Sequence, residues 1–217
     1  MLRIDFISDI NCPWCALGLA ALDAAVQQLG DEIPLEIHCQ PFELNPQLPA
    51  EGVNLNDYLK QKYGMGDAQV RSVHETIAAR GRELDFTFAK REILWNSFNC
   101  HRLLYWAEQE YSAEKQLQLK RALMQAYQGE GRDISQIEVL VDIAGASGLD
   151  QSRAEKILRA DEFAPEVRAT QQTWINAGIS AVPSLVINRQ HLLQGAQTPD
   201  TYVQALRDIA QQQHKIS

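Results

Sequence analysis

Long apolar segments are absent from this sequence of 217 residues. No run approaches the ~18 to 20 consecutive apolar residues that a membrane-spanning helix needs. The opening stretch MLRIDFISDI interrupts its apolar residues with aspartates and leads to no small-residue cleavage site, so it does not predict a signal peptide. We therefore expect a cytoplasmic protein that has no membrane partner.

An excess of basic residues is also missing. Lys and Arg number 20 against 28 Asp and Glu, which gives a formal net charge of -8. Nucleic-acid binding needs a concentrated basic face, so this balance argues against a nucleic-acid partner. A hydrophobic fraction of 45% and a charged fraction of 22% are ordinary for a globular protein and suit a cytosolic enzyme.

Cysteine is scarce as well. Four cysteines in a chain of this length are too few for a disulfide scaffold, and the cytosol keeps most thiols reduced. Internal repeats, low-complexity tracts and linker-like segments are likewise absent from the sequence. A pair of cysteines is therefore predicted to serve catalysis or metal binding rather than to act as a structural staple.

The spacing of apolar residues predicts strands near both ends of the chain and helices between them. LRIDFIS and LEIHCQPFEL have the pattern of strands, and the segment from Pro13 to a stop at Gly30 has helical spacing. Residues 45–177 contain helical segments and no strand pattern. Within them, Ser135 and Glu138 predict a capping box at a helix start.

The C-terminal segments complete an α/β order. PSLVIN and HLLQG flank the short connection NRQ and predict a β-hairpin, and the last helix is predicted to begin at Pro199 with Thr198 as its cap. The order β-α-β, helical block, β-β-α predicts an α/β fold whose two halves are separated by a helical insertion. We assign residues 1–44 and 178–217 to the α/β domain and residues 45–177 to the inserted helical domain.

The stretch ISDINCPWCALG places Cys12 and Cys15 where the first strand gives way to the first helix. With the helix starting at Pro13, Cys12 takes the N-cap position, where free backbone amides carry a partial charge of about half an elementary charge. This charge favours the thiolate, and cysteines so placed in C-x-x-C motifs have pKa values of about 3.5 to 7, against ~8.5 for a free thiol. Cys15 lies nearly one turn further on, and we expect it to be the more buried, resolving thiol.

Zinc binding is one alternative for this pair, since the spacing suits two tetrahedral ligands. No second C-x-x-C is present, so further ligands would have to come from His38, Cys39, Cys100 or His101. His38 and Cys39 are neighbours on a strand and point to opposite faces, so they cannot both bind one ion without distortion. A structural disulfide or two inert thiols is the other alternative. The order strand, C-x-x-C, helix favours a redox pair.

A proline near the C-terminus supports the redox interpretation. In GISAVPSLVIN, Pro183 follows Val182 and belongs at the first residue of a strand, because proline does not fit inside a central strand. In the cis form it would leave the backbone groups of Val182 free to pair with an extended substrate. A trans proline that opens a strand is the alternative. The C-x-x-C pair and the β-β-α ending together favour the cis form.

These features resemble the thioredoxin superfamily, and the helical insertion resembles its DsbA family of thiol-disulfide oxidoreductases. SDINCPWCALG, PFELNP, HRLLYWA, EGRDI and GISAVPSLVINRQHLLQGAQ are similar, in the same order, to the cytoplasmic, FrnE-like branch of that family. The resemblance implies a thioredoxin-like fold with a DsbA-like helical insertion. It also implies that Cys12 is the nucleophile, Cys15 the resolving cysteine and Pro183 the cis-proline of a substrate groove.

The surroundings of the pair are interpreted with the same family in view. Val182, Phe42 and His101 are expected in the substrate groove, with Phe42 between the α/β fold and the insertion. For His101 a surface or core-edge position is the alternative. Pro13 and Trp14 are expected to tune the redox potential, because they replace the Pro-His dipeptide of the periplasmic oxidants and remove one contribution to thiolate stability. Trp14 is either exposed to substrate or partly packed.

Other chemically active side chains have simpler expected roles. Asp5 and Asp9 are expected to be exposed or capping carboxylates, with a proton relay to Cys15 as the alternative. Cys39 shares the core side of its strand and is expected to be an inert buried thiol. Cys100 begins a helix, and a role as a second redox partner is the alternative to an inert thiol there.

The sequence therefore predicts a thiol-disulfide oxidoreductase or isomerase that acts on protein or small-molecule thiols and disulfides, as a monomer or homodimer. It requires no metal or organic cofactor, and glutathione is a candidate co-substrate. One alternative is a glutathione-dependent isomerase or transferase similar to 2-hydroxychromene-2-carboxylate isomerase, in which serine typically stands in place of Cys12. The other is a non-enzymatic protein, either peptide-binding and chaperone-like or zinc-binding.

Overall fold

A computed structural model describes the backbone of residues 1–216 and the side chains of residues 1–213. The strands are β1 (Leu2–Ser8), β2 (Leu35–Pro41), β3 (Val53–Asn54), β4 (Ile93–Leu94), β5 (Ser184–Ile187) and β6 (His191–Gln194). The helices are α1 (Pro13–Leu29), α2 (Leu55–Tyr63), α3 (Asp67–Glu83), α4 (Phe98–Glu110), α5 (Ala113–Met124), α6 (Ile137–Ala146), α7 (Gln151–Arg159), α8 (Ala164–Asn176) and α9 (Pro199–Ile216). The predicted order of β-α-β, a helical block and β-β-α is confirmed.

Strands β1, β2, β5 and β6 form one sheet in the order β2-β1-β5-β6. β1 runs parallel to β2, with Leu2 opposite Leu35, because α1 carries the chain back between the two strands. β1 is antiparallel to β5, with Ile4 opposite Ile187. Strand β1 is therefore an interior strand of the sheet. The CPWC segment follows shortly after the carboxyl end of β1.

The hairpin predicted at NRQ is confirmed. β5 and β6 are antiparallel, and Asn188 and Arg189 in the turn have φ values of 50° and 56°. Left-handed residues suit such a turn because their twist matches that of the flanking strands. The Asn188 N–H also donates to the carbonyl oxygen of Arg3 at 2.8 Å, which ties the turn to β1.

The inserted helices share a hydrophobic core with the sheet. α1 and α9 pack against each other, and α4, α5 and α8 contact the edge strand β2. The core continues from Phe6 of β1 through Leu103 of α4 and Leu123 of α5 to Ile157 of α7. Residues 45–177 therefore cover one edge of the sheet with apolar side chains, and a change in these helices is transmitted to the sheet by direct packing.

One difference from the expected fold lies in the insertion, where the sequence predicts no strand. β3 and β4 pair antiparallel, with Val53 opposite Leu94 and Asn54 opposite Ile93. A strand of two residues is too short to show the alternation by which a strand is recognised in a sequence. The pair joins the start of α2 to the segment that follows α3.

A second difference concerns the predicted capping box, which is wrong. α6 begins after Gln136, whose side chain makes no capping hydrogen bond. The hydroxyl of Ser135 donates to Asp133 Oδ1 at 2.5 Å, and the described residues show no hydrogen bond from the Glu138 amide to this hydroxyl. The backbone N–H of Ser135 donates to the same carboxylate oxygen at 2.9 Å, so Ser135 is bound to Asp133 before the helix begins. At α9 the expected cap is confirmed, since Thr198 Oγ1 accepts the backbone N–H three residues on at 3.2 Å.

Candidate active site

Cys12 lies at the junction of β1 and α1 as the N-cap residue of α1, with Pro13 at the first helical position. The backbone N–H groups of Cys15 and Ala16 donate to the Cys12 carbonyl oxygen at 3.0 and 3.3 Å. The Cys12 Sγ lies 3.7 Å from the carbonyl oxygen of Val182. The sulfur therefore lies between the positive end of a helix and the backbone of the segment that opens β5.

Cys15 is completely buried, and Cys12 is 4% exposed. Burial raises the pKa of Cys15 well above its usual value, and the neighbouring Cys12 raises it further. The backbone of Asp9 and the charge of Lys120 act in the opposite direction and are outweighed. The two cysteines, which are both free thiols in the structure, therefore form an asymmetric pair in which Cys15 keeps its proton.

The Val182–Pro183 peptide bond is cis. Gly18 of α1 lies against this proline, since a Cβ at Gly18 would be 2.9 Å from Pro183 Cγ. The carbonyl oxygen of Pro183 accepts from the backbone N–H of Gly195 at 2.8 Å. Gly18 thus allows α1 to approach the proline closely. Sequence reasoning missed this residue, although a glycine inside a helical pattern is a signal of close approach.

The two remaining residues expected in the groove are placed differently. Phe42 is buried with Ile7 and Ile179 in a cluster against which Val182 packs, so it is next to the cis-proline segment without facing Cys12. His101 is 1% exposed and does not line the cavity at Cys12, so its expected place in the groove is wrong. The amphipathic pattern of α4 turns this histidine into the core, where an acidic partner lies close by.

That partner is Asp9, which is fully buried rather than exposed, but which has the capping role that was the other part of the expectation. Its oxygens accept from the backbone N–H of Leu44 at 2.7 Å, the N–H of Asn11 at 3.1 Å and the Ser97 hydroxyl at 2.7 Å. His101 Nε2 lies 3.6 Å from Asp9 Oδ1. Burial opposes ionisation, but His101 and these hydrogen bonds outweigh it and hold the pKa of Asp9 below its usual value. Asp9 therefore caps the CPWC loop from inside the protein.

Asp5 is also fully buried and its hydrogen-bond partners are side chains, so the expectation of an exposed or capping carboxylate is wrong for it. Asp5 Oδ1 accepts from Arg3 Nη2 at 2.8 Å and from Gln40 Nε2 at 2.8 Å, and Asp5 Oδ2 accepts from Arg3 Nε at 3.2 Å. These donors compensate the loss of water around the carboxylate. The partners of Asp5 lie on β1 and β2, so its role in the structure is to join the two strands.

Lys120 of α5 is 1% exposed, and sequence reasoning missed it because a lysine in an amphipathic helix is normally solvent-exposed. Its charge lowers the pKa of three buried thiols, Cys15, Cys39 and Cys100. Burial is the larger influence and raises the pKa of Cys39 and of Cys100 to about 12. The buried position expected for Cys39 is confirmed, and Cys100 is equally buried.

A cavity of about 310 Å³ opens beside Cys12. Trp14 forms part of its wall, half-buried, with the guanidinium carbon of Arg80 5.3 Å from the ring centroid. The wall is lined by Asn11, Cys12, Pro13, Trp14, Leu44, Asn45, Leu48, Leu55, Tyr58, Leu59, Tyr63, Met65, Val73, His74, Ile77, Arg91, Leu94 and Val182. The insertion supplies most of this wall, so it shapes the approach to the sulfur.

Two observations bear on other classes of protein. Among the side chains of residues 1–213, no group of three or more His, Cys, Asp and Glu is placed to hold a metal ion. His38, considered above as a zinc ligand, has its Nδ1 2.5 Å from Glu108 Oε1 instead. Within the described part of the chain, none of the helices combines the length and the apolar character needed to cross a bilayer.

Comparison with known proteins places these features in a family. The sequence matches the DSBA-like thioredoxin domain over residues 3–207. It is similar to YwbO, an uncharacterized protein of Bacillus subtilis, with 26% identity over 211 residues that cover 95% of this chain and 96% of YwbO. The crystal structure of a probable DsbA oxidoreductase from Streptomyces coelicolor has a TM-score of 0.88 and 27% identity, and the match covers 96% of this chain and 89% of that one.

Two further solved structures share the fold at lower identity. One is a 2-hydroxychromene-2-carboxylate isomerase, with a TM-score of 0.73, 16% identity and coverage of 99% of both chains. The other is the cytosolic disulfide reductase DsbM from Pseudomonas aeruginosa with GSH, with a TM-score of 0.60, 16% identity and coverage of 98% of this chain and 99% of that one. The family match over residues 3–207 and the shared fold show that this chain belongs to the DSBA-like thioredoxin domain family.

Proposed function

We propose that the protein is a thiol-disulfide oxidoreductase that acts through Cys12 and Cys15. The observation that carries the proposal is the asymmetry of the pair. Cys12 starts α1 and lines a cavity, although only 4% of the residue is exposed, whereas Cys15 has no exposed surface and its pKa is raised by that burial and by Cys12. A nucleophile must be ionised and reachable, and a resolving thiol must wait until the first bond has formed.

The proposed reduction of a disulfide uses these two thiols in turn. The thiolate of Cys12, favoured by the helix N-terminus, attacks one sulfur of the substrate; a new S–S bond forms, the substrate S–S bond breaks and one thiolate leaves. Cys15 then loses its proton and attacks the Cys12 sulfur, which releases the second thiolate. The cysteine pair is left as a disulfide, and the two electrons are with the substrate. Oxidation of a dithiol is the same sequence in reverse.

The Val182–Pro183 segment is proposed to hold the substrate during this exchange. The Val182 carbonyl oxygen is 3.7 Å from Cys12 Sγ, so a chain that pairs with this backbone has its sulfur next to the nucleophile. Pro13 and Trp14 would set the redox potential from inside the motif. Phe42 supports the same segment through the cluster in which Val182 packs.

The partners and setting are proposed on the same basis. Protein or small-molecule thiols and disulfides are the substrates, and glutathione is a candidate reductant because the structure of DsbM contains GSH. The pair needs no metal or organic cofactor for this exchange. We further propose that the protein belongs to the FrnE-like branch and acts in the cytosol as a monomer or homodimer. It has no nucleic-acid partner in this proposal.

A glutathione-dependent isomerase is the second candidate function. The fold shared with 2-hydroxychromene-2-carboxylate isomerase and the apolar cavity beside Cys12 favour it. The buried Cys15 next to Cys12 favours the redox function, because an isomerase that binds glutathione has no use for a resolving thiol. Peptide binding without catalysis would not depend on the Cys12 sulfur at all.

A redox titration tests the proposal. The purified protein is equilibrated in glutathione buffers of increasing oxidation, and its free thiols are then trapped by alkylation and located by mass spectrometry. We expect a Cys12–Cys15 disulfide to form cooperatively, and a Cys100→Ser variant to titrate at the same potential. The proposal would be contradicted if this disulfide formed in none of the glutathione buffers. It would also be contradicted if Cys12→Ser retained full activity. Stoichiometric zinc released by alkylation would favour the zinc-binding alternative.

A further inference from the structure

The cavity beside Cys12 has a size and a wall that suit a small ligand. Its volume of about 310 Å³ is at the lower end of the range for small-molecule sites. Leu55 and Leu59 of α2, Ile77 of α3 and Leu94 of β4 make the wall distant from the CPWC segment predominantly apolar. An apolar body can therefore be buried here within reach of the sulfur.

Arg91, which lines this cavity and an adjoining one beside Glu92, has hydrogen-bond donors that the protein leaves unused. Its Nε and Nη1 are buried and have no hydrogen-bond partner among the side chains and backbone described. Its guanidinium carbon lies 4.9 Å from the ring centroid of Tyr127, which packs against it and limits its movement. Buried N–H groups require acceptors, and two N–H groups of one guanidinium match the two oxygens of a carboxylate. The side chain is thus prepared for an anion that enters the cavity.

Asn11, directly before Cys12, leaves a second polar atom unmatched. The residue is 7% exposed and lines the cavity, and its Nδ2 donates to the Trp95 carbonyl oxygen at 2.8 Å. Its Oδ1 is buried and has no hydrogen-bond partner within residues 1–213. Buried polar atoms without a hydrogen-bond partner are rare in folded proteins, unless a ligand or a water molecule forms the missing hydrogen bond. The cavity therefore has unmatched polar atoms at two separate positions of an apolar wall.

Two exposed cations lie against residues of the wall without lining the cavity themselves. Arg80 lies over Trp14, and Lys62 Nζ donates to the Leu44 carbonyl oxygen at 2.9 Å and to the Tyr58 hydroxyl at 2.7 Å. Trp14, Leu44 and Tyr58 are all lining residues. In a chain of net charge -8, a local concentration of positive charge favours an anionic ligand and repels a cationic one.

We propose that this cavity is a subsite for a small disulfide with an apolar body and a carboxylate, and that Arg91 binds the carboxylate. The inference rests on the proposed function of Cys12 and deepens it by naming the class of substrate. The predominantly apolar wall suits an aryl or aliphatic thiol compound.

The exchange in this subsite leaves one half of the substrate in the cavity. The Cys12 thiolate forms a bond to the nearer sulfur, the substrate S–S bond breaks and the outer half leaves as a thiolate. Arg91 holds the carboxylate of the inner half during the mixed disulfide. Cys15 then gives its proton to solvent and attacks the Cys12 sulfur, and the inner half leaves as a second thiolate. The substrate gains two electrons, and the cysteine pair loses them.

Two aryl disulfides that differ in charge test the subsite. Dithiobis-nitrobenzoate carries a carboxylate on each ring, whereas dithiodipyridine is neutral, and each releases a thiol that absorbs visible or near-ultraviolet light. The reduced protein reacts in a single turnover, so no further reductant is needed. We expect Arg91→Met to raise the concentration for half-maximal rate about tenfold for the carboxylate-bearing disulfide, as lost charge-assisted hydrogen bonds imply. The neutral disulfide should react as it does with the unchanged protein.

Controls separate this effect from general damage. Lys90→Met removes the same charge from the neighbouring residue, whose side chain is 87% exposed, and should change neither reaction. Arg91→Lys keeps the charge and should recover part of the preference. Calorimetry with S-methyl nitrothiobenzoate, which cannot exchange thiols, should show binding that Arg91→Met weakens.

The two proposals fail in different ways. An equal loss with both disulfides in Arg91→Met, or no change with either, would overturn the subsite and leave the redox function in place. If the reduced protein reacts with neither disulfide, the redox function fails, and the calorimetric binding of the S-methyl compound still decides the subsite.

Discussion

Gly18 and Pro183 touch so closely that a single methyl group does not fit between them. The Cβ of any other residue at position 18 would lie 2.9 Å from Pro183 Cγ and 3.7 Å from the hydroxyl of Tyr202. A proline ring held between a strand and a helix cannot move aside as a flexible side chain does. The position of α1, and with it the position of Cys12, is therefore coupled to the segment proposed to hold substrate.

Gly18→Ala should destabilise the protein and slow disulfide exchange. Alanine normally stabilises a helix interior by about 1 kcal/mol relative to glycine, but overpacking of a filled site costs about 1–3 kcal/mol and outweighs this gain. Denaturant unfolding and single-turnover kinetics measure the two effects. Gly145→Ala in α6 is the matched control, because the three atoms nearest to its Cβ would belong to the exposed side chain of Gln151, which can move, and it should be neutral or stabilising. If Gly18→Ala kept the full stability and the full rate of disulfide exchange, the coupling between α1 and the Val182–Pro183 segment would be disproved.

The buried Asp9 should make stability depend on acidic pH. Its folded pKa is held below the unfolded value of ~3.9, so its contribution is complete above about pH 5 and is lost as the pH falls through 4 and below. Unfolding free energies measured from neutral to acidic pH should fall in this range. Asp9→Asn should lower the unfolding free energy at neutral pH by about 2 kcal/mol, because the amide replaces one accepting oxygen by a donor. It should also flatten the dependence of the unfolding free energy on acidic pH. An unchanged slope in this variant would rule Asp9 out as its source.

Lys120→Met should prolong the mixed disulfide. The charge of Lys120 lowers the pKa of Cys15, so its removal makes the resolving thiol harder to deprotonate. Methionine has a similar length and fills the buried space without a charge. Quenched alkylation at increasing times should show the Cys12 adduct persisting several-fold longer, and raising the pH should restore the rate. Lys156→Met at an exposed position of α7 should behave as the unchanged protein. Equal lifetimes in both variants would remove Lys120 from the resolving step.

Cys39 and Cys100 should be unreactive in the folded protein. Both are buried, and the pKa of each is raised to about 12 by that burial. Alkylation of the reduced protein at neutral pH should therefore modify Cys12 first, and all four cysteines only after unfolding. Mass spectrometry of the digested protein locates the modified residues. The double variant Cys39→Ser, Cys100→Ser should exchange disulfides at the same rate as the unchanged protein. Early modification of Cys100 would instead show that Cys100 exchanges with the Cys12–Cys15 pair.

The parts of the fold that could be predicted are those with a strong local signal. The alternation of β1, the helical spacing after Pro13 and the NRQ turn are all local patterns, and they give the correct element order. The two residues of β3 carry no such pattern, and the Ser135 capping box was lost to competition from Asp133. Both differences depend on a partner that a pattern in one segment does not contain.

The candidate site divides in the same way. Cys12 and Cys15 are identified by their spacing at a strand–helix junction. The burial of Asp9 and Lys120, however, was not predicted, because charged residues are usually exposed, and only the folded chain brings them into the core. Three partners of Asp9, namely Leu44, Ser97 and His101, come from distant parts of the chain, and no rule of local spacing predicts them.

The position of Lys120 has a further consequence for how such a redox centre diverges. The CPWC segment lies near the start of the chain, yet one charge that acts on its buried sulfur comes from α5, more than a hundred residues later. Relatives with an identical dipeptide between the cysteines can therefore differ in redox potential through replacements in the insertion alone. Comparing potentials by motif would group such proteins incorrectly, whereas comparing the residue at the Lys120 position together with the motif would separate them.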